Sequence, residues 1–196
     1  MRRSQTLGAA YFERLYQASP DPWRFAESRY EAAKYGRTIE ALGTEPVARA
    51  LEVGCSIGVL TRRLAALCDR LVATDVARAP LQTARERCRD LANVTFRLVR
   101  TAVENFTELF DLIVLSEVVY YWDDDDLAAV AVAINRSLAP GGRLLLVHWI
   151  GKTDYPKSAD EAVGALWMRL PGMEREHSER RDLYRLDLWR RPNVGA

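Results

Sequence analysis

The sequence predicts an open, mostly parallel α/β sheet of seven strands with helices on both faces, ending in an antiparallel hairpin and preceded by a helical cap. Three observations predict it. Strands that are apolar throughout alternate with helical patterns between about residues 49 and 149, as in a parallel sheet buried on both faces. A glycine-rich turn, Gly54-Cys-Ser-Ile-Gly58, follows the first of those strands. Near the end, residues 174–181 and 183–191 alternate polar and apolar about Asp182, which fits a hairpin at a sheet edge.

Each element has its own warrant. Residues 4–18 carry a helical pattern that Ser19-Pro20-Asp21-Pro22 stops, because two prolines two positions apart force a turn. A second helix is expected over 24–42, with Phe25, Tyr30, Ala33, Ile39 and Leu42 as its buried stripe and Gly43 as its stop. The first strand, 49–53, runs straight into the glycine-rich turn. A helix starting near Ile57 then extends through Cys68, followed by a strand over 71–75 and a helix with Pro80 in its first turn. Further strands fall at 94–99, 112–116 and 143–149, with a helix over 124–138 and Pro140-Gly-Gly142 before the last of them. Ser158-Ala-Asp-Glu161 has the form of a capping box and opens a helix to about Leu170. Residues 1–196 read as one domain, with 1–44 as the cap and 45–196 as the core.

Composition narrows the function. The chain has 196 residues, 48% hydrophobic and 28% charged, enough apolar material for one well-buried domain. Its formal net charge of +1 gives no field that would recruit nucleic acid or an anionic membrane. Cys55, Cys68 and Cys88 lack metal-ligand spacing and are too few for a disulfide scaffold; Cys68 and Cys88 fall within helical patterns. No signal-peptide pattern and no membrane-length apolar run occurs, so a soluble, cytoplasmic protein is expected.

The candidate site begins at Leu51-Glu-Val-Gly-Cys-Ser-Ile-Gly58. Glycine at a strand end allows a tight turn, and a second small residue lets a ligand lie against backbone. Two acids sharpen the pattern. Glu52 stands at the mouth of the first strand, and Asp75 ends the second, where a carboxylate can accept hydrogen bonds from both hydroxyls of a ribose. The bland reading is that both acids only cap neighbouring helices.

The motifs LEVGCSIG, Asp75 in LVATDV, FDLIVLSEVVYY and LAPGGRLLLV resemble, in order, those of class I S-adenosylmethionine (SAM)-dependent methyltransferases, which have a Rossmann-like fold. Ser56 replaces the middle glycine of that family's turn. The resemblance implies SAM as cofactor, with S-adenosyl-L-homocysteine (SAH) as product. Glu52 and Gly54 would face its methionine end, with Cys55, Ser56, Gly58 and Ser116 also at the cofactor. Asp75 and Val76 would lie at its ribose, and Thr101, Ala102 and Val103 at its adenine. Trp23 and Arg29 in the cap could cover the cofactor or receive its carboxylate. A narrower resemblance, carried by YFERLYQASPDPW, RYEAAKY and FDLIVLSEVVYY, is to the nodulation protein S (NodS) family. It implies N-methylation of an amine on an amino-sugar or saccharide-like acceptor, in oligosaccharide biosynthesis.

Acceptor-side candidates leave the fourth and fifth strands. Glu117 can position an amine or accept its proton, and Tyr120 and Tyr121 can line the pocket. His148 is the better general-base candidate of the two histidines; His177 lies in the hairpin. Methyl transfer can rest on positioning alone, so a dedicated base is not required. Asp123 to Asp126 stand on one helix's first turn and point different ways, so no metal site is expected. Tyr30-Glu-Ala-Ala-Lys34 matches a dehydrogenase motif but precedes the glycine-rich strand, which makes the match coincidental. A nicotinamide-dependent oxidoreductase is disfavoured by Val59, where a dinucleotide fingerprint has Gly or Ala. The remaining alternatives are methylation of another small N or O acceptor and a non-catalytic SAM-binding or partner-binding domain.

Overall fold

The structure, a computed structural model, describes residues 2–99 and 106–193. Seven strands form one sheet: β1 (Val47–Val53), β2 (Cys68–Asp75), β3 (Val94–Leu98), β4 (Phe110–Ser116), β5 (Leu138–Trp149), β6 (Glu174–Arg180) and β7 (Tyr184–Arg190). Their order is β3-β2-β1-β4-β5-β7-β6. The first five are mutually parallel, and β7 runs antiparallel to both β5 and β6. The chain reverses direction of travel across the sheet between β1 and β4, so a crevice opens beyond their carboxyl ends, where ligands sit in such sheets.

Helices α1 (Ala9–Ala18) and α2 (Arg29–Leu42) form the cap; α3 (Val59–Leu64), α4 (Arg78–Arg87), α5 (Asp124–Ser137) and α6 (Ala159–Arg169) cover the sheet. Burial divides between its two faces. On one, Leu51, Ile113, Leu144 and Leu146 pack with α5 and α6. On the other, Ala50, Leu112, Leu145 and Val147 pack with Tyr35 and Leu42 of α2 and Leu60 and Leu64 of α3. Apolar residues at successive positions of β4 and β5 thus find a layer on either side.

Several boundaries differ from the sequence reading, each for a local reason. Residues before Ala9 are not helical: Leu7 N–H bonds to Tyr121 O at 2.9 Å, and Thr6 and Asp123 exchange side-chain and backbone bonds. Helix α2 starts at Arg29 because Asp21 captures the amides of Phe25 and Ala26 at 2.8 and 2.9 Å in a separate turn, and Ser28 then caps α2. Cys68 is the first residue of β2, since a short 3-10 turn (Ala65–Leu67) ends the preceding helix early; Cys88 is the C-cap of α4. Strand β5 begins at Leu138 and carries Pro140-Gly-Gly142 within it, across a register shift against β4.

The buried stripe of α2 also differs. Glu31, Lys34, Tyr35, Thr38 and Leu42 are buried, whereas Ala33 is exposed. Two charges can occupy the inner face because Lys34 Nζ lies 2.9 Å from Glu31 and also pairs with Glu117 at the end of β4. No described helix is long and apolar enough to cross a membrane.

Candidate functional site

The glycine-rich turn is held by β2. The amides of Gly54 and Cys55 both donate to Thr74 O at 2.8 Å. Gly54 (φ +78°) needs its missing Cβ twice over, because its backbone is left-handed and an added Cβ would lie 2.4 Å from Val118 Cγ1. Ser56 takes a left-handed conformation (φ +50°) despite its side chain, and its hydroxyl bonds the Tyr16 hydroxyl of α1. Asp75 closes the turn: Oδ2 accepts from Ser56 N–H and Oδ1 from Ala77 N–H, both at 2.9 Å. Each oxygen keeps a further lone pair.

A cavity of about 320 Å³ opens over this turn. Its floor is the carboxyl edge of β1, β2 and β4, and its roof is residues 6–9 and α1 with Trp23 and Phe25. Seven aromatic side chains line it: Phe12, Tyr16, Trp23, Phe25, Tyr35, Tyr121 and Trp122. Trp23 stacks on Phe25 at 5.4 Å and meets Tyr16 edge-on at 5.8 Å, so the cap's aromatics form a continuous wall. Among the described residues the lining also holds four carboxylates, Glu52, Asp75, Glu117 and Asp126, and no Lys, Arg or His.

These carboxylates are not alike. Burial raises Glu52 to about 7 and Asp75 to about 6. Glu52 Oε2 has no hydrogen-bond partner among the described residues, although the side chain is fully enclosed. Burial would raise Glu117 as well, yet the Lys34 ammonium more than offsets it and holds that carboxyl below its ordinary range. Glu117 also accepts from the Tyr120 hydroxyl and from Trp149 N–H at 2.9 Å.

The sequence-predicted residues separate by place. Trp23, Glu52, Gly54, Cys55, Ser56, Asp75, Val76, Ser116, Glu117 and Tyr121 all line the cavity. Gly58 lies behind the turn, where an added Cβ would lie 3.0 Å from Ala84. Arg29 is exposed at the start of α2 and outside the lining. Tyr120 and His148 are buried behind the wall: Tyr120 donates to Glu117, and His148 Nε2 accepts from Val119 N–H at 3.3 Å. Burial pushes His148 down to about 4, so the ring is neutral at pH 7. Thr101, Ala102 and Val103 lie outside the described residues. Asp123 caps α5 and Asp124 pairs with Lys157 and Arg169, which leaves Asp126 facing the cavity.

Residues 6–9, Phe12, Tyr16, Phe25, Tyr35, Val118 and Lys34 were not singled out for the site from the sequence. Phe12, Tyr16, Tyr35 and Val118 fall within the NodS-like segments and Lys34 ends the Tyr30–Lys34 pattern, in which Glu31 and Lys34 stand one turn apart, but none of these signals assigned them to the site.

The sheet order, the reversed β7 and the cavity over the glycine-rich turn are those of the class I methyltransferase fold. The NodS protein of Bradyrhizobium japonicum WM9, an N-methyltransferase crystallised with SAH, superposes with a TM-score of 0.82 at 24% identity, covering 94% of this chain and 98% of that one. A putative methyltransferase from Pseudomonas syringae matches with a TM-score of 0.74 at 34% identity, covering 84% of this chain and all (100%) of its own. A family model for nodulation protein S (NodS) matches residues 10–166. The chain belongs to the nodulation protein S (NodS) family. Nodulation protein S of Rhizobium tropici is 38% identical over 134 residues, 65% of this chain and 55% of its own. That of Sinorhizobium fredii is 33% identical over 132 residues, 65% of this chain and 60% of its own. The match to this chain therefore spans less than two thirds of the length of these curated relatives.

Proposed function

We propose that this chain is a SAM-dependent methyltransferase that methylates the nitrogen of a small amine acceptor, on an amino sugar or a saccharide-like molecule. The observation that carries this reading is the cavity's make-up: four carboxylates and an aromatic wall, with no cationic side chain in the described lining. Carboxylates and aromatic faces suit cations, and both the sulfonium donor and a protonated amine are cations. The unpartnered, enclosed Oε2 of Glu52 and the spare lone pairs of Asp75 fit the ammonium and hydroxyl donors of SAM. Family membership and the name of the Bradyrhizobium enzyme point the same way.

SAM supplies an electrophilic methyl group on a sulfonium sulfur. In this reading Asp75 accepts from the ribose hydroxyls, with Val76 beside it. Glu52, Gly54, Cys55, Ser56 and Ser116 flank the methionine portion, and Thr101 to Val103 flank the adenine. Trp23 and the other cap aromatics exclude water from the cavity. Glu117 and Tyr121 form the wall that the acceptor meets. Glu117 is already committed to three donors, which makes it an orienting anion and not the base that receives the amine's proton. We assign Tyr120, His148 and Gly58 to packing behind the site and give Arg29 no contact with the cofactor. In-line positioning then suffices for transfer once a protonated acceptor has released its proton to water, leaving the nitrogen lone pair to displace the sulfonium sulfur.

We read the chain as one domain, and as a cytoplasmic protein with a small-molecule acceptor and not a nucleic acid. The near-neutral charge and the unpaired Cys55, Cys68 and Cys88 support this. Calorimetric titration with SAM, SAH and NAD tests the core of the proposal. Micromolar binding of both adenosyl ligands without NAD supports it, and methyl transfer to a glucosamine oligosaccharide with a free amine extends it to the acceptor. Binding of NAD alone, or of none of the three, defeats it.

A further inference from the structure

We propose that Lys34 is a positioning residue for the acceptor side of the cavity: from α2 it clamps the Glu117 carboxylate, so that the wall formed by Glu117 and Val118 keeps one geometry and faces the cavity as an anion. This inference rests on the methyltransferase reading above.

Lys34 has a side chain only 1% exposed, in a position where an ammonium without partners would not be tolerated. Its Nζ reaches Glu31 at 2.9 Å and pairs with Glu117, and the rings of Tyr30 and Tyr35 lie 5.2 and 5.8 Å from it. Glu117 in turn occupies a left-handed conformation (φ +58°) at the end of β4, which a side-chain-bearing residue keeps only when its surroundings fix it. Lys34 supplies one of those restraints. The others are the Tyr120 hydroxyl, Trp149 N–H and the bond from Glu117 N–H to Val147 O at 2.8 Å.

The turn that Glu117 starts carries Val118, whose Cγ1 occupies the space a Cβ on Gly54 would need. A contact chain therefore runs from Lys34 through Glu117 and Val118 to the glycine-rich turn, joining the cap to both walls of the cavity. The titratable groups around Glu117 are Tyr30, Glu31, Lys34 and Tyr35 from α2, Tyr120 and Tyr121 from the turn after β4, and His148 from β5. Lys34 is the one cation among them at neutral pH, because His148 is neutral there.

The test compares the full chain with Lys34→Met, Glu117→Gln and the double variant. It reads urea midpoints from pH 5 to 8, SAM and SAH affinities by calorimetry, and the methylation rate of a free-amine glucosamine oligosaccharide. Lys34→Met leaves a buried carboxyl without its cation, so its midpoint should fall as pH rises. The double variant removes Glu117's share but leaves the buried Glu31 carboxyl without its cation, so its midpoint should show a smaller added slope. In the double variant the preference for SAM over SAH should stay about fivefold below wild type, since the anion facing the sulfonium is gone. Its rate should stay at least about tenfold down.

A double variant that regains the wild-type preference and rate would overturn the inference, because the pair would then serve packing alone. So would Lys34→Met that keeps both at a pH where its midpoint shows it folded. A wild-type chain that binds neither SAM nor SAH brings down the methyltransferase reading and this inference together. Normal wild-type binding with an unaffected Lys34→Met brings down the inference alone.

Discussion

The cavity has two walls whose carboxylates stand in opposite electrical states. On the β1–β2 side, Glu52 and Asp75 are buried without any cation, and burial raises them to about 7 and about 6. On the β4 side, Glu117 is largely but less completely enclosed and is paired with Lys34, and it lies below the ordinary carboxylate range. The difference separates a wall left open to a ligand's positive charge from one whose charge the protein has already balanced. A cationic ligand gains most from the first wall, while the second adds an anion that Lys34 holds in one orientation.

The largest expected effect comes from pressing the two walls into each other. Gly54→Ala places a Cβ at 2.4 Å from Val118 Cγ1, and Val118 is β-branched and cannot swing aside freely. With the left-handed backbone added, the cost should be about 2–4 kcal/mol of unfolding free energy, measurable by urea titration. Adding Val118→Ala should restore part of it. Full stability in the single variant would mean that the walls do not touch as described.

The next effect sharpens the electrical contrast. Glu52 and Asp75 have folded values above their unfolded ones, so the stability they contribute is complete below about pH 4 and is lost as pH rises through 6 to 7. For Glu52 this amounts to about 3 kcal/mol. Glu117 has the opposite sign: its contribution is present above the unfolded value and is lost as pH falls through its lowered one. Urea midpoints of the ligand-free chain should therefore decline from pH 5 to 8, and Glu52→Gln should flatten the decline. A midpoint independent of pH over that range would remove the contrast.

The two walls also differ in how far the sequence disclosed them. Gly54, Glu52 and Asp75 were legible because a tight turn, a close backbone approach and a strand-end acid each demand a residue type at a fixed offset. The parallel sheet followed from the alternation of apolar strands and helices, and the antiparallel terminal hairpin from the polarity pattern of 174–191. The Lys34–Glu117 pair joins residues 83 positions apart, and no local spacing announces it. It also inverts the hydrophobic rule by which the stripe of α2 was assigned, since Glu31 and Lys34 take the inner face and Ala33 the outer. Helix starts at 9 and 29 shifted for a related reason: Leu7 and Asp21 make specific hydrogen bonds that outweigh a local helical pattern. Asp126 was read only as one of four acids on a helix's first turn, and in the fold it lines the cavity together with residues 6–9.

On the open wall, Asp75→Ala should weaken SAM binding by about 1.5–3 kcal/mol, the scale of hydrogen bonds to a charged group. The variant also loses the bonds to Ser56 N–H and Ala77 N–H, so thermal unfolding of the ligand-free protein belongs beside the calorimetry. Affinity that falls only in proportion to stability would assign Asp75 to holding the turn, as the bland reading has it. A loss of affinity beyond that assigns it to the ligand.

The smallest effect tests how the cap is fastened to the open wall. Tyr16 and Ser56 share a hydrogen bond, and Ser56 holds a left-handed conformation that glycine would adopt without strain. Tyr16→Phe removes the bond and should cost about 1 kcal/mol. Ser56→Gly removes the same bond but relieves the backbone, so the two terms should nearly cancel. In the double variant the Tyr16→Phe cost should vanish, because its partner is already gone. That double-mutant cycle separates the hydroxyl contact from ring packing against Trp23, which both variants retain. A Tyr16→Phe cost unchanged in the Ser56→Gly background would mean that the hydroxyl acts through a group other than Ser56, and that the serine in the turn does nothing for the cap.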